Sequence, residues 1–320
     1  MLTDMIRETF EKQTGLKMLS IHQCKSTMKN NYTEDFVNNG VYKIETDTRP
    51  YIFKVYKEEW PKEGKIPFVY RKLDEYRIPH AEIIIFSRND ENFKDGYLIE
   101  ECLPGITASR LHLSTDETTD IYRKLAVMMS QVHRIENVGF GYSEFGDNCS
   151  VSDQTVFSEF AYEWLNEFAV DLVSQNIISA DDFNLVRRQI REQTKICDGL
   201  PSVLCHGDLS AKNMLVDSGR VVLIDWDDAH ALCWMDDIAH LTFMMKLEYG
   251  AEAAEIYRKA FLETYETEYG KELYDKAEDI LHVKFGLDLL SFFAGKPQYF
   301  GIRRELLKSL EKCGLAVKIK

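Results

Sequence analysis

The chain has 320 residues, 45% hydrophobic and 12% aromatic, enough apolar surface for a core and too much chain for one small domain. Its 39 basic and 53 acidic residues give a formal charge of −14, which argues against a nucleic-acid partner, since that affinity comes from neutralising phosphates. Apolar runs such as Ile83-Ile84-Ile85-Phe86 are too short for a membrane span and the N-terminus has no apolar secretory core, so a cytoplasmic protein without a membrane partner is expected.

Residues 4–13 read as a short helix that Asp4 can cap and Gly15 stops, with Ile6, Phe10 and Gln13 on one face. Strand character follows at 16–21, 41–45 and 51–56, the last two joined as a hairpin through Thr46-Asp47-Thr48-Arg49-Pro50. Residues 61–77 are mostly helical, with a first turn made irregular by Gly64 and Pro67. Two further strands, 83–86 and 97–102, flank the polar turn 88–96. Leu103-Pro104-Gly105 then breaks the pattern.

Helices dominate beyond it, at 121–133, 154–175, 180–195, 234–247, 251–269, 273–293 and 302–312. One strand pair interrupts them, 214–217 and 221–225, turned by Ser218-Gly219. The expected fold class is therefore α+β and bilobal. A small antiparallel β-sheet lobe with one main helix, 1–102, precedes a larger, mostly helical lobe, 103–320. Charge divides the same way: residues 1–98 hold 16 basic and 16 acidic residues, so the whole excess of −14 falls on the remainder. That excess serves solubility, or it attracts a cationic ligand.

Seven cysteines, scattered and never spaced C-x-x-C, argue against a disulfide framework or zinc site and for a reducing compartment. Cys205 and His206 are adjacent on an extended segment and point to opposite faces, which makes a nucleophile–base pair improbable.

The informative stretch is His206-Gly207-Asp208, then Asn213 five residues after Asp208, then Ile224-Asp225-Trp226 beyond the hairpin. Two carboxylates and an amide so spaced suit phosphoryl transfer. One carboxylate accepts or orients the attacking hydroxyl, and hard oxygen ligands hold Mg²⁺ against the phosphates. A lysine must reach those phosphates. Lys54 lies in the apolar strand Tyr-Ile-Phe-Lys-Val-Tyr, where an unpaired ammonium would cost several kcal/mol (roughly), so it needs a carboxylate or phosphate nearby.

These motifs resemble those of the aminoglycoside phosphotransferase/choline kinase family, which has a protein-kinase-like fold. Supporting matches are Leu103-Pro104-Gly105, Ile78-Pro79, His133 closing a helix and Asp237-Ile238-Ala239, and the likeness spans about 36–245. The resemblance implies Asp208 as the base or aligning group, Asn213 and Asp225 as Mg²⁺ ligands, and Lys54 on the α- and β-phosphates of ATP or GTP. It places Asn39 and Gly40 over the phosphates, Glu101 to Leu103 as hinge backbone for the base, and Leu215 and Ile224 against it. His206 and Asp237 are implied as supports of the catalytic loop. Two features depart from the pattern. The phosphate loop is poor in glycine, leaving Ser26, Thr27, Asn30 or Asn31 as candidate contacts. The helix glutamate that should pair with Lys54 is replaced by Ile66, with Glu63 as substitute and Glu58 and Glu59 behind it.

On 154–175, Phe160, Trp164, Phe168 and Leu172 form an apolar stripe beside Glu159, Glu163, Glu167 and Asp171, also four apart. Like charges at that spacing cost roughly 0.2–0.5 kcal/mol per pair, and no Lys or Arg dilutes them on this segment. The stripe is either a solvated face or a wall for a polycationic substrate, extended by Asp227 and Asp228, one of which could instead cap the next helix. An aminoglycoside-like hydroxylated cation suits that surface. The alternative is choline or ethanolamine, with Trp164, Trp226 and Trp234 as a possible cage. A non-catalytic nucleotide-binding module would be expected to have lost Lys54, Asp208, Asn213 or Asp225, all of which are present. Neither the hydroxyl phosphorylated nor the oligomeric state is written in the sequence.

Overall fold

A computed structural model describes residues 2–24, 40–58, 61, 64–88, 90–141 and 154–320. In chain order the first elements are α1 (Leu2–Thr14), β1 (Ser20–Gln23), β2 (Gly40–Glu45), β3 (Tyr51–Val55), α2 (Lys65–Glu75), β4 (Ile83–Ser87), β5 (Tyr97–Glu101) and β6 (Ile106–Thr107). Then come α3 (Thr115–Val132), β7 (Glu136–Asn137), α4 (Phe157–Trp164), α5 (Asn166–Ser174), α6 (Ala180–Gln193), β8 (Ser202–Cys205), β9 (Met214–Asp217) and β10 (Arg220–Leu223). The last are β11 (His230–Leu232), α7 (Trp234–Tyr249), α8 (Ala251–Thr264), α9 (Tyr274–Phe292) and α10 (Tyr299–Lys312). The chain divides into two compact units. One comprises Met1–Leu111 and Ala211–Asp227; the other comprises His112–Tyr142, Val151–Ser210 and Asp228–Lys320.

The first unit is built on an antiparallel sheet of order β1-β2-β3-β5-β4. Its alternating apolar residues Ile44, Tyr51, Phe53, Tyr97 and Ile99 form one buried cluster with Ile6 and Phe10 of α1. The β2–β3 turn is held by Thr46, whose Oγ1 accepts from the amides of Thr48 and Arg49 and donates to the Arg49 carbonyl. The strand expected over 16–21 forms only from Ser20, because α1 side chains occupy the backbone ahead of it. The Met18 amide donates to Glu11 Oε1 at 2.9 Å, and its carbonyl accepts from Arg7 at 2.8 Å. A second sheet, β10-β9-β6, contains the expected hairpin; Ser218 and Gly219 turn it with φ of 48° and 79°, the pair of positive values a two-residue turn of this hand requires.

The second unit is mostly helical around a small sheet of order β11-β8-β7. That sheet has no counterpart in the sequence expectation, since its strands are two to four residues long and β8 is buried at all four positions, leaving no alternation to read. α3 begins well before the expected residue 121, because Ser114 and Glu117 form a reciprocal capping box. The helix expected over 154–175 is two helices, broken at Leu165, where the ladder tightens to a three-residue bond from the Phe168 amide to the Leu165 carbonyl. Among the described residues no helix is long and apolar enough to cross a membrane.

One buried ion pair ties α7 to α9. Lys284 Nζ lies 2.9 and 3.1 Å from the two oxygens of Asp236, both side chains are fully buried, and the ammonium faces the Trp164 ring at 4.1 Å. Removing one partner strands the other charge in a dry core, which costs about 3–5 kcal/mol. Asp236→Ala is therefore expected to lower the melting temperature sharply. Asp236→Leu combined with Lys284→Met should recover most of that loss in the same thermal-unfolding measurement.

Candidate active site

In the first unit the chemistry gathers on Lys54. The strand alternation that buries Phe53 on the core side leaves Lys54 on the opposite face of β3, only 6% exposed. Its ammonium is 2.7 Å from Asp225 Oδ1 and also meets Asp227 Oδ2. Burial alone would lower the lysine pKa; the adjacent Asp225 and Asp227 charges more than reverse this and hold it well above the ordinary value. Asp227 is itself buried and accepts from the Tyr56 hydroxyl at 3.1 Å. Asp225 and Asp227, which follow the hairpin, are thus ion-pair partners of Lys54. Ile66 is buried on α2, Glu58 is exposed, and Glu59 and Glu63 lie outside the described residues. Asp227, expected on the substrate surface, is instead a partner of Lys54.

A third carboxylate, missed in the sequence, lies near this group. Glu100 of β5 accepts from the hydroxyl of Tyr70, which is one turn beyond Ile66 on α2, at 3.1 Å. Burial pushes the Glu100 carboxyl up to about 7, against the pull of Lys54 and the Tyr70 hydrogen bond. The apolar stretch Tyr97-Leu98-Ile99 running into two glutamates was the available signal.

The open mouth of the β9–β10 hairpin positions the expected metal ligands. Met214 pairs with Leu223, and the Ile224 amide donates to the Asn213 carbonyl at 3.0 Å, so Asn213 and Asp225 flank that mouth. Asn213 is buried, whereas the Asp225 side chain is 44% exposed. Asp225 has φ of 65°, a left-handed conformation that costs a non-glycine residue about 1 kcal/mol or more. An amide oxygen and a carboxylate at one mouth are the hard donors that Mg²⁺ takes. Leu215 and Ile224 are half-buried on the hairpin, and Gly40 opens β2. At the expected hinge, the Glu101 amide is used by the Glu82 carbonyl and the Cys102 amide by the Pro50 carbonyl, so the amide available to a base narrows to Leu103. Asn39, Ser26, Thr27, Asn30 and Asn31 lie outside the described residues.

In the second unit, β8 delivers the His206-Gly207-Asp208 loop. The buried carboxylate of Asp237, on α7, accepts from the amides of His206 (2.8 Å) and Gly207 (3.1 Å) and contacts His133 Nε2 at 3.3 Å. Burial would raise its pKa, but the His133 hydrogen bond and the His133, His206 and His230 charges hold it well below the carboxylate range. The His206 ring is fully buried, and its Nδ1 accepts from the Asp208 amide at 3.3 Å, a supporting role as expected. Gly207 has φ of 82°, and a Cβ there would stand 2.0 Å from the Asp228 carbonyl oxygen. His240, missed in the sequence, donates from Nδ1 to the Gly207 carbonyl (3.0 Å) and has Nε2 3.8 Å from Asp208 Oδ1. Its spacing three residues after Asp237 on one helix was the signal.

The acidic stripe is only partly an open wall. Glu159 is bound by Arg191 of α6 at 2.5 and 2.7 Å, so the diluting cations sit on the neighbouring helix rather than on 154–175 itself. Glu163 is exposed and accepts from Gln154 at 2.5 Å. Glu167 and Asp228 are exposed, and both act on a further carboxyl, Asp288 of α9. Burial, and then the neighbouring Asp228, Glu167 and Asp236 against Lys284, push Asp288 up to about 7. Trp164, Trp226 and Trp234 are each at most 7% exposed, so these rings are packed and do not line a cage.

The Glu100 shift has a stability consequence. Its carboxyl ionises near 4.5 in the unfolded chain but keeps its proton to about 7 when folded, so its contribution is complete below pH 4.5 and is lost as pH rises to 7. Glu100→Gln should therefore gain on the wild type across that window in chemical-denaturation experiments. An unchanged difference between the two proteins from pH 4.5 to 7 would contradict the assignment.

A model of the APH phosphotransferase enzyme family matches residues 33–276, a stretch that includes Lys54, Asp208, Asn213, Asp225 and Asp237. No curated protein sequence matches significantly. Among solved structures, a thermostable mutant of aminoglycoside phosphotransferase APH(4)-Ia, in ternary complex with ADP and hygromycin B, aligns with a TM-score of 0.67 at 15% identity, over 97% of this chain and 96% of that one. A candidate fructosamine-3-kinase from Thermobifida fusca YX-ER1 aligns at 0.65 and 16%, over 97% and 99%. The streptomycin–ATP ternary complex of APH(2")-IIa aligns at 0.61 and 18%, over 95% of each. At such identities the likeness speaks for a shared protein-kinase-like fold. Family and fold together make this chain a member of the APH phosphotransferase enzyme family, a small-molecule kinase acting on hydroxyl groups.

Proposed function

We propose that this kinase transfers the γ-phosphoryl group of ATP or GTP to a hydroxyl of a cationic, aminoglycoside-like substrate. The observation that carries the substrate class is the set of carboxyls around Asp288, where Glu167 and Asp228 leave negative charge exposed and burial keeps the third group partly protonated. An ammonium group arriving there would favour the ionised form of Asp288 and gain from all three. Residues 1–102 form the nucleotide-binding lobe in this reading, and 103–320 carry the catalytic loop and the acceptor site.

Asp208 orients the acceptor hydroxyl and takes its proton as the bond to phosphorus forms. The amides held by Asp237 and the carbonyl held by His240 keep the loop bearing Asp208 in one geometry, which is where rate is gained when the chemistry needs positioning above all. Asn213 and Asp225 would hold Mg²⁺, which supplies charge neutralisation at the phosphates. Lys54 exchanges Asp225 for the α- and β-phosphate oxygens when nucleotide enters, while the buried Asp227 retains it. Leu103 offers hinge backbone to the base, Leu215 and Ile224 pack against it, and Gly40 lies by the phosphates. Six described cysteines are free thiols, which suits a reducing cytoplasm.

The test is release of nucleoside diphosphate with Mg²⁺, using ATP and GTP separately. The acceptors are aminoglycosides and aminocyclitols against a fructosyl amine, choline and ethanolamine. Turnover is expected with the first group, and Asp208→Ala should cut kcat by about 10²–10⁴ while the protein melts normally. Turnover on choline or ethanolamine alone would overturn the acceptor class; nucleotide binding without any turnover would mark a non-catalytic binder. Glu167→Gln combined with Asp288→Asn should raise KM for cationic acceptors at least about tenfold with little change in KM for nucleotide. An unchanged acceptor KM would remove these carboxyls from the acceptor site.

A further inference from the structure

A buried tyrosine outside every motif is connected to the catalytic loop by an unbroken hydrogen-bond chain. Tyr265 follows α8, where the backbone turns extended at φ −64° and ψ 131°. Its ring is fully buried, stacked on Phe261 at 5.7 Å and tilted on Trp234 at 5.4 Å. The backbone around it is pinned as well. The Glu266 amide donates to the buried Ser130 Oγ of α3 at 2.9 Å, and Lys271 Nζ donates to the carbonyls of Leu262 and Tyr265 at 2.6 and 3.0 Å. The position of the Tyr265 hydroxyl is therefore set by packing on three sides.

That hydroxyl lies 2.8 Å from His133 Nδ1, and the other ring nitrogen of His133 lies 3.3 Å from Asp237 Oδ2. Asp237 accepts the amides of His206 and Gly207, so its oxygens require donors, and a neutral imidazole can donate to it only with the proton on Nε2. In that neutral ring Nδ1 is the acceptor and the Tyr265 hydroxyl the donor aimed at it, whereas a doubly protonated ring would donate from both nitrogens and leave the hydroxyl to accept. A ring with the opposite tautomer would turn a lone pair toward the carboxylate and leave the hydroxyl to accept.

We propose that Tyr265 is a positioning residue of the phosphoryl-transfer reaction, acting through His133 and Asp237 to fix the loop that carries Asp208. The proposal rests on the reading of Asp208 as the reacting group. It assigns a catalytic consequence to a residue that touches neither nucleotide nor acceptor. Tyr265→Phe keeps the ring contacts and removes only the donor, and it should lower kcat about tenfold while KM for ATP stays within about twofold and the melting temperature moves little.

The experiment pairs that kinetic split with nitrogen NMR of the His133 imidazole in the full chain. In the wild type the Nε2–H tautomer is expected; Tyr265→Phe should give a mixture, and the amides of His206 and Gly207 should exchange faster with solvent. A wild-type ring protonated at Nδ1 overturns the proposal without needing any variant to fold. A Tyr265→Phe kcat within twofold of wild type, measured as ADP release from Mg·ATP with the acceptor that turns over fastest, overturns it too. If Asp208→Ala retains wild-type turnover, the reading of Asp208 fails first, an outcome the tautomer measurement does not share.

Discussion

The larger unit is organised around a carboxylate that should not be stable where it is. Asp237 lies on α7 with 1% of its surface exposed, and taking that charge out of water costs several kcal/mol (roughly) unless donors replace the lost hydration. Three replace it: the His133 ring and the amides of two consecutive loop residues. Those amides cannot pair within a strand or helix, because Gly207 has left both geometries at φ of 82°. Each side therefore resolves the other's cost. The loop amides escape burial without partners, and the carboxylate acquires a fixed set of donors.

The same rule, met with different residues, shapes the smaller unit. Lys54 is buried in a strand whose neighbours are apolar, so the sheet can keep it only by finding a carboxylate. Asp225 and Asp227 provide two, and Asp227 is further tied down by Tyr56. With the ammonium satisfied from the hairpin, α2 is free to present Ile66 and Tyr70 instead of an acid. Electrostatics constrains the charge and distance of the partner, not the element that supplies it.

How far the sequence could be read follows from what kind of signal each feature leaves. Periodicity made α1, β2, β3 and the β9–β10 hairpin legible nearly to the residue, and the H-G-D-x-x-x-x-N spacing followed by Ile224-Asp225-Trp226 singled out Asp208, Asn213 and Asp225 as candidates. Short buried strands such as β8 leave no alternation, and they were not foreseen. Partners brought together across long sequence separations leave no local trace at all. The Lys54–Asp227 pair spans a large part of the chain, and Glu159 of α4 finds its cation in Arg191 on α6, so a stripe that looked unneutralised is neutralised at one end. Asp288 left no trace for the same reason, and Glu100 only the faint one of an acid ending an apolar strand, since burial and neighbours, rather than residue type, raise both carboxyls to about 7.

That last pair separates two uses of a protonatable carboxyl. Glu100 is hydrogen-bonded to Tyr70 and stands near a lysine already matched by two aspartates, so its proton removes a charge that Lys54 cannot balance. Asp288 stands near Lys284, whose charge is taken by Asp236, and it shares its surroundings with exposed Glu167 and Asp228. Its proton is retained because Lys284 is already committed elsewhere. A cationic group supplied from solution would displace that proton, so binding should release a fraction of one near pH 7 and tighten as pH rises past the Asp288 value. A neutral acceptor makes no such demand, and the pH dependence of acceptor KM therefore distinguishes the two chemistries.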